Sequence, residues 1–127
     1  MRIIVTSLYV DDQEKALQFY TEKLGFIKRQ DIANGDYRWL TVVSPDDRNG
    51  TELVLEPNDN PIAQEYQEKL AAAEIPATLF AVDDVQKTYD QLIEAGVAFL
   101  SEPVVMDVAT FAIFNDTVGN LIQIVER

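Results

Sequence analysis

Two stretches of the chain repeat one pattern of apolar and polar positions. Ala16, Leu17, Tyr20 and Leu24 recur at the period of a helix, and so do Val85, Tyr89, Leu92 and Ile93. Each stretch opens on Val-Asp-Asp, at Val10 and at Val82, and each closes at a glycine, Gly25 or Gly96. Glycine suits the left-handed position that follows a helix. Asp11 with Glu14, and Asp83 with Gln86, have the spacing of a capping box, in which each side chain satisfies an orphan backbone N–H. Strand-like runs flank both helices in the same order. The first helix is preceded by 2–10 and followed by 26–33, 37–43 and 51–56. The second is preceded by 77–82 and followed by 97–100, 108–114 and 120–126, with turn residues at Asn34-Gly35, Asn115-Asp116 and Gly119. The order is βαβββ, used twice, which predicts an α+β fold.

The boundaries that follow are module one at 1–57, a connector at 58–76 and module two at 77–127. Asn60 and Pro61 start a short helix in the connector, with Ile62, Tyr66, Leu70 and Ala73 as its inner face. Strand parity then sorts side chains between two sheet faces. Leu53 and Leu55 share one face, and Glu52, Val54 and Glu56 the other; Ile122 and Ile124 share one, and Leu121, Gln123 and Val125 the other. The wholly apolar sets belong under the amphipathic helices, and the mixed sets face away from them.

Composition narrows the chemistry. Ten Lys and Arg against 22 Asp and Glu give a net charge of −12, which repels nucleic acid and anionic membrane surfaces. There is no Cys and no His, hence no disulfide, no thiolate and no imidazole, either as base or as ligand. Absence of Cys is compatible with the cytoplasm, and the opening residues lead into a strand pattern rather than a signal peptide.

The opening V-T-S-L-Y-V-D-D…A-L-x-F-Y-x-x-x-L-G-F and the closing D-x-x-G-N-x-I-Q-I-V-E resemble the vicinal oxygen chelate superfamily. That group contains glyoxalase I, the bleomycin resistance proteins, fosfomycin-modifying enzymes and extradiol dioxygenases. The resemblance runs from Arg2 to Glu126 and implies two modules forming an incomplete barrel around a cleft, in a homodimer. Enzymatic members hold one divalent metal there, through the first and last strands of each module. Carried over, those positions fall on Val5, on Ala77, on Gln123 and on Glu52 or Val54. Alkyl groups donate no lone pair and an amide is a weak neutral ligand, so no metal and no other cofactor is expected.

The resemblance therefore leads to a metal-independent small-molecule-binding protein like the bleomycin resistance proteins, with cationic or aromatic ligands favoured. The expected ligand-binding residues are Tyr37 and Trp39, which share one parity, with Phe111, Glu52, Glu56 and Gln123. Arg38 points to the other face, and the paired aspartates at the helix starts are caps rather than ligands. Two other readings stand beside this one. Glu52 serves as an acid/base in an enzyme of the superfamily, its pKa raised in a dry cleft. Or the protein is a dimeric regulatory partner whose cleft is filled.

Overall fold

A computed structural model describes residues 1–126. The chain divides into two compact units, Met1–Glu65 and Tyr66–Arg127. The first contains β1 (Val5–Val10), α1 (Gln13–Gln18), β2 (Ile27–Asn34), β3 (Tyr37–Val43) and β4 (Glu52–Pro57). α2 (Pro61–Ala72) runs across the boundary. The second contains β5 (Thr78–Val82), α3 (Val85–Glu94), β6 (Val104–Met106), β7 (Ala109–Asn115) and β8 (Leu121–Glu126). The repeated βαβββ order is observed, and each unit forms an open four-stranded sheet, β1-β4-β3-β2 or β5-β8-β7-β6. In both, the first strand lies parallel to the last and the other pairs are antiparallel. Among the described residues no helix is long and apolar enough to cross a membrane.

Within each unit the helix covers the apolar side of its own sheet. Leu8, Val10, Leu40, Val42 and Leu55 are buried there with Ala16, Phe19 and Tyr20. In the second unit Ala112, Phe114, Ile122 and Ile124 are buried with Val85 and Leu92. Edge and stacked aromatic contacts extend both cores, through Phe19, Tyr20 and Phe26 in one and Tyr89, Phe99 and Phe114 in the other.

Several local expectations are corrected. The helix N-caps are Asp12 and Asp84, one residue later than the capping boxes placed them, and each accepts from the backbone N–H three residues on. The third position then holds Lys15 or Lys87, so no reciprocal box forms; instead Glu126 accepts the N–H of Val85. α1 does not run uninterrupted to Gly25: its last turns, Phe19–Lys23, widen to a π-helix before that glycine takes φ +79°. Residues 97–100 meet β7 at a single bridge, Phe99 with Phe114, rather than as a strand. The chain then turns through Ser101–Pro103, where proline has no N–H to give, and pairing resumes as β6. The inner face of α2 is also rotated by one position. Ala63 and Gln67 are buried, while Ile62 and Tyr66 are exposed. A polar anchor decides it: Gln67 Nε2 donates to Asn120 Oδ1 at 3.0 Å and to the Val118 carbonyl at 3.3 Å.

That anchor belongs to the D-T-V-G-N turn before β8. Asp116 is fully buried and accepts from the N–H groups of Val118 and Asn120 and from Asn120 Nδ2. Gly119 sits at φ +102°, and a Cβ there would lie 2.7 Å from Gln67 Nε2. Only glycine closes this turn against the amide.

Candidate functional site

The face of the first sheet turned away from α1 is assembled by strand parity. Tyr37, Trp39 and Thr41 lie on it from β3, Glu52 and Glu56 from β4, and Ser7 and Tyr9 from β1. Arg38 points to the opposite side as expected. There its guanidinium holds Asp31 through two hydrogen bonds of 2.9 and 2.8 Å and donates to Glu14 of α1 at 2.9 Å. Gln13 strengthens the same side. Its Nε2 donates to the carbonyls of Arg38 and Leu55, and its Oε1 accepts the Arg38 N–H, all within 2.8–3.0 Å. β3 and β4 are thus clamped from behind, which fixes what they present in front.

On this face Glu52 sits among the buried Thr41, Val43 and Val54. A bulge in β2 between Lys28 and Gln30 turns the Gln30 backbone N–H onto Thr41 Oγ1, at 3.1 Å. The Thr41 hydroxyl, its lone pair so occupied, donates to Glu52 Oε1 at 2.6 Å. Gln30 Nε2 donates to the same oxygen at 2.7 Å. These two bonds hold the Glu52 carboxyl below the usual carboxylate range, against partial burial and with help from Arg29. This is opposite to the raised pKa expected for an acid/base Glu52. Two donors aimed at the anion outweigh incomplete desolvation. A carboxylate stabilised in this way is a poor proton acceptor.

Toward the other end of β3, where the register brings Glu56 rather than Glu52 across from Trp39, the aromatic groups are open. Trp39 is 37% and Tyr37 44% exposed, and neither the indole N–H nor the phenol makes a hydrogen bond among the described residues. Ile32 lies directly across from Trp39 on β2 and is exposed too. Glu56 receives a long bond from Ser7 Oγ, 3.4 Å. Tyr37 also lines a cavity of about 390 Å³ whose other walls include Val10, Gln13, Arg38 and Pro57.

Four of the six expected ligand residues, Tyr37, Trp39, Glu52 and Glu56, therefore share one face of the first unit. The other two, Phe111 and Gln123, lie on the corresponding face of the second. There Gln123 is paired with Leu79 and Ile113 across the sheet, and its side-chain amide makes no hydrogen bond among the described residues. Sequence reasoning missed Gln30 and Thr41. Thr41 shares the parity of Trp39 and was open to inspection; Gln30 was hidden, because the bulge breaks the alternation that would have placed it.

The strand registers also choose between Glu52 and Val54. Val10 pairs with Pro57 and Val82 with Glu126, so Gln123, three residues before Glu126, has Val54 as its counterpart. Among known proteins, the sequence profile of the Glyoxalase/Bleomycin resistance protein/Dioxygenase superfamily matches residues 2–124. The chain belongs to this superfamily. It is 58% identical over 127 residues to the uncharacterized protein YurT of Bacillus subtilis (strain 168), with both chains covered completely. The crystal structure of UcmS2 superposes with a TM-score of 0.84 at 35% identity, covering 98% of this chain and 97% of that one. TnmS3, an antibiotic binding protein from Streptomyces sp. CB03234, superposes with a TM-score of 0.77 at 30% identity, covering 99% and 95%.

The metal of the superfamily's enzymatic members can be tested against the residues present. The positions carried over by register are Val5, Val54, Ala77 and Gln123. Three are alkyl and one is a neutral amide, while Glu52, one pleat away, has one oxygen committed to Gln30 and Thr41. Among the described residues no three carboxylates gather into a group able to hold an ion. This donor set does not fit a divalent cation.

Proposed function

We propose that this protein is a metal-independent small-molecule-binding protein that holds a flat aromatic ligand against Trp39 and Tyr37. One observation carries the reading: two large rings with unsatisfied polar edges stand exposed on the same sheet face as a carboxylate fixed by hydrogen bonds. Such rings offer rigid area at little entropic cost, and a few polar groups set orientation. The likeness to TnmS3, an antibiotic binding protein, supports sequestration of a ligand over its transformation. The lowered pKa of Glu52 argues in the same direction, because it weakens the base that an acid/base enzyme would need. We assign Gln123 and Phe111 a ligand-facing role on the second unit's own sheet face, where the Gln123 amide is free to pair with a polar group of a ligand bound there.

A second copy of the chain is proposed as partner, and the cytoplasm as location. The β6–β7 hairpin favours pairing: Val104, Val105, Met106 and Val108 are all exposed along or beside a sheet edge.

Thermal unfolding against a ligand panel tests the binding reading. Flat aromatic dyes at a hundredfold excess over Kd contribute about 2.7 kcal/mol, which raises Tm by several degrees; Zn²⁺, Mn²⁺ and Ni²⁺ leave it unchanged. Stabilisation by a divalent metal alone, or about one metal per purified chain by elemental analysis, overturns it.

A further inference from the structure

We propose that the open face of the first unit selects organic cations, with the free oxygen of Glu52 as the anchor for the positive charge of a flat ring lying on Trp39. The inference rests on the binding reading above and adds the charge of the ligand. Both hydrogen bonds that Glu52 accepts from Thr41 and Gln30 fall on Oε1. Oε2 accepts none among the described residues. Glu52 stands across from Val43, four residues along β3 from Trp39, and its bond from Thr41, the next residue after Trp39 on this face, draws the carboxylate toward the indole while half of its acceptor capacity stays open. Holding an anion still costs little when a ligand arrives, because the orientation is already set. Glu56 adds a second negative charge on the same side of β4, with only the long Ser7 contact.

The cations of the first unit do not neutralise this pair. Arg38 is turned to the helix side and committed to Asp31 and Glu14, and Lys28 pairs with Asp31. Arg29 is near enough to influence Glu52 but forms no ion pair with it. A face bearing two carboxylates, two exposed rings and no paired cation complements a ring that carries positive charge. Trp and Tyr faces attract such a ring further through their quadrupoles. An anionic ligand meets repulsion at Glu52 and Glu56, and a neutral one leaves Oε2 without a partner.

Trp39 is the single tryptophan of the chain, so its fluorescence reports on this face directly. The probes are 10-methylacridinium, a permanent cation, and acridine, which is neutral at pH 8 and nearly the same shape. Wild-type protein should bind the cation at least tenfold more tightly than acridine. Glu52→Gln keeps an oxygen for Thr41 and Gln30 while removing the charge, and should reduce the ratio to below threefold. Asp90→Asn removes one charge from the surface of α3 and should leave the ratio at its wild-type value, which separates a local anchor from the general field of an acidic protein. Circular dichroism and the midpoint of urea unfolding establish that each variant is folded. If Glu52→Gln does not fold, Glu52→Asp, which keeps the charge on a shorter stem, should lower the ratio without abolishing it. Equal affinities for the two probes in the wild type overturn the cation anchor and leave the binding reading standing. Saturable binding of neither probe overturns both. A ratio that survives Glu52→Gln, or falls equally in Asp90→Asn, also overturns the anchor.

Discussion

The same βαβββ plan builds two sheets whose outward faces have opposite characters. In the first unit that face carries Glu52, Glu56, Thr41 and Ser7 with exposed rings at one end and the buried Val43 and Val54 at the other. In the second, Leu79, Ala81, Phe111, Ile113 and Val125 surround one amide, Gln123. The inner faces, by contrast, use nearly interchangeable aliphatic and aromatic residues. Packing under a helix constrains volume and hydrophobicity in both copies alike. Nothing comparable constrains the outward faces, so their difference marks where the copies have diverged in chemistry.

Polar residues show the same division from another side. Those of the second unit lie at the D-T-V-G-N turn, where Asp116, Asn120 and Gln67 are buried and mutually satisfied. On the first unit's face only Thr41 is buried among the polar residues, while Glu52 is half-buried and keeps an oxygen without a partner among the described residues. The largest effect we expect tests this contrast. Asp116→Ala removes the acceptor for three hydrogen-bond donors in a buried turn and should destabilise the protein by about 3 kcal/mol. Glu52→Gln, which preserves its two bonds, should stay within about 0.5 kcal/mol. Urea unfolding of the two variants side by side measures both. Similar losses for both would make Glu52 a structural residue and erase the distinction.

Much of this was legible in the residues. The repeated Val-Asp-Asp openings and the glycines at the helix ends fixed the two copies, because capping and positive φ are local requirements that few residues meet. Parity placed Tyr37, Trp39, Glu52 and Glu56 together. What stayed hidden depends on non-local partners. The inner face of α2 is set by Gln67 reaching a turn 53 positions away, which a hydrophobic period cannot reveal. Residues 97–100 have the composition of a strand but lose their ladder at Pro103. Gln30 reaches Glu52 through a bulge that no alternation predicts. The direction of the Glu52 pKa followed from those two unseen donors.

A smaller effect separates the units by pH. The first links two strands through charge: Arg38 of β3 beside Asp31 of β2 lowers that carboxyl from 3.8 to about 2. A depressed folded-state pKa stabilises the fold above the unfolded value, and the contribution disappears as pH falls from about 4 through 2. Both side chains are about one-quarter exposed, so solvent screening limits the contribution to about 1 kcal/mol. Arg38→Ala should therefore lower the urea midpoint at pH 7 more than at pH 2.5. An equal loss at both values would mean that Arg38 acts through packing of its stem rather than through Asp31.

The smallest change we expect in stability bears on the second unit's face. Gln123 is half-buried between Leu121 and Val125, and its amide makes no hydrogen bond among the described residues. A core amide would have to be paired, since an unsatisfied one is expensive to bury. Gln123 is only half-buried, so solvent satisfies its amide and leaves it open to a polar group of a ligand. Gln123→Leu removes no internal bond and adds apolar area, so the unfolding free energy should move by less than about 0.5 kcal/mol. Binding of acridine to this second face, read from the fluorescence of the dye itself, should nevertheless weaken by at least threefold, because the residue then offers neither donor nor acceptor. If Gln123→Leu instead costs several kcal/mol while acridine affinity is unchanged, Gln123 supports the fold. The functional difference between the two faces would then reduce to a single binding face, that of Trp39 and Glu52.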